Sequence, residues 1–477
     1  MAAVLLGITI LMLILLTWLS LKSKLFYHRL TGFKDNGHWF FGNMVEIRNS
    51  TIKHIVEKFP NFYRFSKGFA RYRISCYHPY LISKVMKNSV RYPIDLHFVD
   101  TLFERNTIQE STGQQWKFNR NLNHFCYGIQ NKNHQTNICR EVFFSVLNKW
   151  QITDGNSIAL NMNDLVTEII YKCSNRMWFG NDINSSERSH IKMLNSIYEM
   201  FSKTKEEDRE LEKNRTSVMK YLIYRMKLSI MLRVLKHRFG SKHNCILKMH
   251  QRRILLERKT ANDGILDRLI IAEMNGKFKL NDKHYTALFK SHHTFVDALR
   301  RAFRGLLIHL TENPEWQEKV REEIYYLKDN EMKTLEEITS RNAKCLQLFI
   351  LESLRNQASG LQLKPRTLTD PIEFDGHYFP NGTLIEINLE ILHRHPMLWQ
   401  NESTFLPERF SENEKVELYK YLPFSTRERI CPGKNLTVAV LESYLVTFLQ
   451  QVKFQRNPPS ESNNYLQNVV NIIKLKL

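Results

Sequence analysis

Near its C-terminal end the chain carries Phe424-Ser-Thr-Arg-Glu-Arg-Ile-Cys-Pro-Gly433, which runs into the apolar segment NLTVAVLESYLVTFLQQV. A lone cysteine beside positive charge has a depressed pKa and tends toward thiolate. A thiolate serves as a nucleophile or as a metal ligand. A nucleophile needs a base and an orienting third group, and no base lies nearby in the sequence. The competing bland reading is a buried structural thiol. A ligand loop also needs a backbone that can turn closely, a role glycine fills at Gly433.

The rest of the chain can supply a large body around that loop. Of its 477 residues, 43% are hydrophobic and 25% charged, which excludes a globally disordered or low-complexity chain. This length allows one big domain or two to three smaller ones, and no repeat recurs at a fixed period. Cys76, Cys126, Cys139, Cys173, Cys245, Cys345 and Cys431 stand singly, with no Cys-x-x-Cys pair. Such spacing argues against a zinc module or a disulfide framework and fits a reducing compartment. The net charge of +21 suits an anionic membrane, an acidic protein or nucleic acid. Basic residues are spread along the chain without a nucleic-acid-binding signature, so nucleic acid is the weakest of the three.

Residues 2–21, AAVLLGITILMLILLTWLSL, carry no charge. About twenty helical residues cross a bilayer's hydrocarbon core. Trp18 sits where an interfacial aromatic belongs, and Lys22, Lys24 and Arg29 hold that side in the cytosol. A cleaved signal peptide would need a basic n-region and a small-x-small site, which are missing. The expectation is an uncleaved anchor at 1–21, a linker and entry segment at 22–44, and one cytosolic domain at 45–477. The Asn49-Ser-Thr sequon would then never meet the glycosylation machinery.

The body reads as mainly α with a minor β region. REVFFSVLNKW and MNDLVTEIIYKCSNRMWFG place apolar residues at helical spacing. Residues 219–239 alternate basic and apolar residues with a helical period, which fits a solvated helix or one resting on a membrane surface. A long helix is predicted over 282–311, ending near Asn313-Pro314 because proline restricts the residue before it. Another follows with Pro314 in its first turn, and a third carries Leu346 to Arg355. Short strands are predicted between 366 and 388, with turns at Asp375-Gly376 and Asn381-Gly382.

Three further features precede the apolar helix in order: Glu352 and Arg355 at i, i+3, then Pro407-Glu-Arg-Phe410, then the cysteine loop. In this order the chain resembles the cytochrome P450 superfamily of haem-thiolate oxygenases. The family's cysteine signature, Phe-x-x-Gly-x-Arg-x-Cys-x-Gly, is matched at Phe424, Arg429, Cys431 and Gly433, with Arg427 where glycine is usual. Glu352 and Arg355 match the Glu-x-x-Arg pair and Arg409 the arginine completing the buried triad. Trp116-Lys-Phe-Asn-Arg120 matches a Trp-x-x-x-Arg helix. GHWFFGNM, DGILDRLI, NPEWQEKVREEI and FDGHYFPNGT resemble further family segments, so the likeness covers nearly the whole chain.

The resemblance implies a cytochrome P450 fold, a single catalytic domain behind an N-terminal transmembrane helix. It implies haem b with Cys431 as axial iron ligand, a thiolate that favours O–O cleavage. Phe424 would shield the sulfur. Trp116, Arg120, Arg366 and Arg429 would contact the propionates, and Gly433 would belong to the ligand loop. Glu352, Arg355 and Arg409 would be a structural triad. The family's central-helix motif, small residues followed by an acid and an alcohol, falls on TFVDAL at 294–299. Asp297 keeps the catalytic acid, whereas Ala298 replaces the alcohol and Phe295 a small residue. Phe295 and Ala298 would line the substrate pocket with residues 93–112 and the Ser359–Leu363 segment. A register one turn away would bring Thr294 nearer the iron.

The function implied is a monooxygenase of the endoplasmic reticulum membrane, acting on an apolar, lipid- or sterol-like substrate. Electrons would come from NADPH-cytochrome P450 reductase, with cytochrome b5 as an optional second partner. Basic residues around Arg427 would speed encounter with an acidic flavoprotein. Two other functions stay open: a reductase-independent isomerase or dehydratase acting on peroxides, compatible with Ala298, and a non-catalytic haem-binding protein, suggested by Phe295 and Arg427.

Overall fold

Apolar periodicity and prolines set most helix boundaries in the computed structural model. It describes residues 18, 43, 46–47, 50–66, 72–91, 107–128, 132–150, 157–180, 264–330, 334, 337–357, 360, 362–411, 419–456 and 469–475. The first elements are α1 (Ile52–Lys58), β1 (Phe62–Ser66), β2 (Tyr72–Cys76), α2 (Pro79–Lys87) and β3 (Ser89–Arg91). Then come α3 (Gly113–Tyr127), α4 (Lys132–Lys149), β4 (Ser157–Asn161), α5 (Met162–Phe179) and α6 (Ile265–Met274). The centre holds α7 (Asp282–Glu312), α8 (Pro314–Asn330) and α9 (Lys344–Asn356). Next are β5 (Arg366–Leu368), β6 (Ile372–Phe374), β7 (His377–Phe379), β8 (Leu384–Ile387) and α10 (Leu389–His393). The last are α11 (Lys434–Leu449), β9 (Val452–Arg456) and β10 (Val469–Lys474).

Helix α7 starts at an Asn281 cap whose side chain accepts from the His284 N–H while the His284 side chain accepts from the Asn281 N–H, satisfying two donors that a helix start leaves open. It stops at Asn313, before Pro314. At 31 residues it is about 46 Å long, enough to run through the whole body. Helix α11 is apolar nearly all round because it is buried nearly all round, from Leu436 and Ala439 to Phe448 and Leu449. One core joins α3–α9, α11, β9 and β10, with Phe295 and Phe424 half-buried against it.

A second core lies under α1, α2 and a five-stranded sheet in the order β1-β2-β8-β5-β3. In that sheet β2 runs parallel to β8, and β3 pairs antiparallel with β5 so that Arg91 faces Arg366 across the strands. A three-stranded sheet, β4-β10-β9, and the hairpin β6-β7 complete the β structure. Strands therefore lie well outside the 366–388 region where the sequence pattern announces them. Strands β1 and β2 are buried at every position, which leaves no alternation to read.

Among the described residues no helix is long and apolar enough to cross a membrane. The expected anchor at 1–21, Trp18 aside, the 22–44 segment, Asn43 aside, and the basic helix at 219–239 lie outside the described residues.

Candidate functional site

The cysteine loop closes through backbone bonds. The Cys431 N–H donates to the Phe424 carbonyl at 2.9 Å, and the Lys434 N–H donates to the Cys431 carbonyl at 3.3 Å. Pro432 and Gly433 then lead into α11. Gly433 has φ −88° and ψ 6°, a conformation open to any residue. An added Cβ would make only ordinary contacts, 3.4 Å from the Phe295 ring and 3.9 Å from the Cys431 sulfur, so neither backbone angle nor space requires glycine here and the expectation that Gly433 is needed for a close turn is not met. Positive φ occurs earlier in the loop, at Ser425 (61°) and Arg427 (55°).

The thiol corrects one sequence expectation. Burial pushes the Cys431 thiol above its usual range, against lowering by the Gly433 N–H, Arg120 and the Lys434 N–H. Charge alone suggested a depressed pKa; desolvation outweighs it. The residue nevertheless keeps an exposed surface. A side chain open on one side and surrounded by protein on the others behaves this way, as at the floor of a concavity.

Three arginines from three separate elements, Arg91, Arg120 and Arg366, gather near Arg429 of this loop. Arg91 on β3 and Arg366 on β5 are cross-strand partners. Arg366 donates to the Ser89 hydroxyl at 2.6 Å and the Ser89 carbonyl at 2.7 Å. Arg429 donates to the carbonyls of Ile108 and Ser111, and its guanidinium lies 4.3 Å from the centre of the Trp116 ring, a cation–π contact. Arg120 on α3 donates to the Ile430 carbonyl and, at 2.9 Å, to His124.

These guanidiniums destabilise one another. Desolvation first, then Arg429 and Arg366, lowers Arg91 to about 9. Desolvation, Arg366 and Arg120 lower Arg429 to about 10, with Glu428 opposing. Arg366 and Arg120 shift down as well, each mainly through burial. The indole N–H of Trp116 and the Nε–H of Arg91 are buried with no hydrogen-bond partner among the described residues. Concentrated positive charge with buried donors left over is a site built for an anion. Arg91 is absent from the sequence reading; its place comes from the β3–β5 register, which no local motif reveals.

Glu352, Arg355 and Arg409 form a closed triad. Arg355 clasps the Glu352 carboxylate with two bonds of 2.7 and 2.8 Å, both side chains fully buried. Arg409 reaches the same carboxylate at 3.2 Å. The leftover guanidinium donors go to carbonyls: Arg355 to His393 and Glu402, Arg409 to Gln400 and Asn401. The Leu406 N–H adds a bond of 2.9 Å to Glu352, so nearly every charged donor and acceptor is paired.

On α7, Phe295 is the residue that meets Gly433. Thr294 is exposed and donates its hydroxyl to the Lys290 carbonyl of its own helix at 3.0 Å. Asp297 is engaged by Arg301 at 2.6 Å and Arg300 at 3.3 Å on the same helix. Ala298 is half-buried. Of the other expected pocket segments, residues 93–106, Ser359 and Leu361 lie outside the described residues.

The sequence matches the family described as Cytochrome P450 over residues 33–476. It is 37% identical over 152 residues to a dihydroniloticin synthase of Citrus sinensis, covering 31% of this chain and 30% of that protein. It is 30% identical over 206 residues to a ferruginol synthase of Salvia miltiorrhiza, covering 41% of each. The matched stretch thus spans well under two thirds of either relative. In three dimensions it is similar to a cyanobacterial cytochrome solved with retinoic acid bound, with a TM-score of 0.69 and 15% identity over 94% of this chain and 99% of that one. That likeness speaks to the fold, which is mainly helical with small sheets. With the family match covering almost the entire length, the chain belongs to the cytochrome P450 family.

Proposed function

We propose that the chain is a haem-thiolate monooxygenase that oxidises an apolar, lipid- or sterol-like substrate with electrons from an NADPH-dependent reductase. The observation that carries this reading is the Cys431 loop, with its own Arg429 beside Arg91, Arg120 and Arg366. These donors suit the cofactor that the family implies, an iron macrocycle with two carboxylates. A soft sulfur suits iron, guanidiniums pair with carboxylates, and the Trp116 indole N–H and the Arg91 Nε–H, which have no partner among the described residues, are further donors. Haem b held there supplies oxygen activation at a thiolate-bound iron.

The protein's own part follows from the geometry. Cys431 would hold the metal as its thiolate, although burial by itself favours the neutral thiol. The N–H groups of Gly433 and Lys434 point at that sulfur and temper the charge it donates. Arg91, Arg120, Arg366, Arg429 and Trp116 hold the carboxylates, and Phe424 limits water at the sulfur. Asp297 carries protons in competition with its two arginine pairs. Glu352, Arg355 and Arg409 tie the end of α9 to the segment from His393 to Leu406. Phe295 and Ala298 wall the substrate side. The organisation that goes with this reading is an anchor at 1–21, a 22–44 linker and a 45–477 haem domain at the endoplasmic reticulum membrane. Cytochrome b5 would be a second donor to the basic face that includes Arg427.

The deciding experiment takes the chain reduced under carbon monoxide. A long-wavelength Soret band that disappears in Cys431→Ala is expected, followed by substrate oxidation that requires NADPH and a reductase. A short-wavelength band or no haem uptake in well-folded protein overturns the reading. Ala298, where the family's alcohol would stand, favours a second reading: a peroxide isomerase or dehydratase, for which turnover would proceed without NADPH.

A further inference from the structure

Three further sulfur atoms meet where α4 packs on α5. Cys139 lies midway along α4, and Cys173 and Met177 lie on α5. A spacing of four puts Cys173 and Met177 on one face of their helix. The Cys139 thiol donates to the Met177 sulfur at 3.7 Å, and the Cys139 and Cys173 thiols are hydrogen-bonded to each other. All three side chains are fully buried.

These distances suit a three-coordinate soft cation. The centre of a triangle with edges of 3.7 Å lies about 2.1 Å from each corner, and a thiolate binds a metal ion with a filled d shell at about 2.3 Å. An ion would therefore fit between the sulfurs with little movement of either helix. Thiolate and thioether donors select Cu(I) among the biological metals. Zinc suits the set poorly, because it takes four ligands and among the described residues no third His, Cys, Asp or Glu joins the two cysteines. Binding takes both thiols as thiolates and releases two protons, and the copper stays in its reduced state throughout. Burial holds the Cys173 proton, and the Arg176 guanidinium on the same helix opposes that effect. The same guanidinium offsets the single negative charge that two thiolates and one Cu(I) leave behind.

We propose that Cys139, Cys173 and Met177 form a binding site for a reduced copper ion, which ties α5 to α4. The site is independent of the haem-thiolate reading. Because solvent does not reach the sulfurs, loading proceeds through local opening of the α4–α5 contact and is slow. Ser174, beside Cys173, bonds to His292 of α7 at 2.7 Å, so copper that fixes α5 also fixes its hold on α7.

The test is an anaerobic titration of the full chain with Cu(I) buffered by bicinchoninate, followed by X-ray absorption of the loaded protein. Cys139→Ala, Met177→Leu and Cys431→Ala are compared with the unaltered chain, and the thermal midpoint of each is recorded with and without copper. Expected are one copper per chain with three sulfur neighbours, kept in Cys431→Ala, and a thermal midpoint raised by copper. Affinity should fall by up to about 100-fold per pH unit on acidification, since two protons compete with the ion. Outer-shell changes alone cost about 10–100-fold in metal affinity, so Cys139→Ala should cost at least about 100-fold. Met177→Leu nearly conserves volume and should leave a folded protein with two sulfur neighbours and weaker binding. Should Cys139→Ala not fold, Met177→Leu decides, and an unchanged affinity and sulfur count there overturn the site. Copper held equally by all variants, copper lost only in Cys431→Ala, or no copper held against the buffer overturns it as well. None of these results alters the carbon monoxide spectrum that tests the haem-thiolate reading, so the two fail separately.

Discussion

Arg427 stands where the family has glycine, and its φ of 55° explains why glycine is usual there. The left-handed region costs an L-residue about 1–2 kcal/mol, while glycine costs about 0.5–1 kcal/mol in unfolded-state entropy. Strain exceeds entropy, so Arg427→Gly should stabilise the chain by about 0.5–1 kcal/mol, seen as a higher urea midpoint at unchanged slope. A lower midpoint would mean that the exposed Arg427 side chain makes interactions that outweigh its backbone. Glu352 presents the opposite case. Glu352→Gln leaves Arg355 and Arg409 without a counter-charge in a fully buried site, and about 3–5 kcal/mol of stability should be lost; a loss under 1 kcal/mol in urea unfolding would contradict the triad's role. The Glu352–Arg355 spacing and the Cys431 loop were legible because each is a local pattern of rare residue types. Arg91 was not, because its only distinction is the strand partner that the register gives it.

Helices were legible as elements because their apolar period repeats over many turns and their ends carry cues, as Asn281 and Pro314 do for α7. Strands β1 and β2 were not, being short and buried on both faces. How elements pack was also beyond the sequence, and Gly305 illustrates it. In the middle of α7 a glycine costs about 1 kcal/mol relative to alanine, so the sequence alone recommends Gly305→Ala. In the structure an added Cβ would sit 2.7 Å from the Gln357 Cβ at the end of α9, a clash that only backbone movement relieves. Overpacking of this kind costs about 1–3 kcal/mol and outweighs the propensity gain. Gly305→Ala should therefore lower the thermal midpoint; a raised midpoint would show that the α7–α9 contact yields easily.

The body as a whole contains several histidines that burial keeps neutral. Desolvation depresses His292 to about 3, and desolvation with Arg355 and Arg394 depresses His309 to about 4 and His393 to about 3. Unfolded histidine titrates near 6.5. Between those values the unfolded chain binds protons that the folded chain refuses, so their contribution is fully present above pH ~6.5 and is lost as pH falls toward about 4 for His309 and about 3 for His292 and His393. Each histidine adds up to about 1.4 kcal/mol per pH unit in that window. The thermal midpoint of the haem-free chain should drop steeply on acidification through it, and a flat profile would mean that these rings are hydrated. The arginine cluster has a different consequence, one of timing. Arg91, Arg120, Arg366 and Arg429 come from distant parts of the chain, and the first and third are aligned only when β3 pairs with β5. Contacts so distant along the chain form slowly. During synthesis the helices can settle early, but the anion cradle is complete only once the segment carrying Arg429 has emerged. If the chain binds haem as proposed, one ending before Arg429 and Cys431 would form most of its helices yet lack both the thiol and one of the four arginines, and loading would have to follow synthesis of that segment.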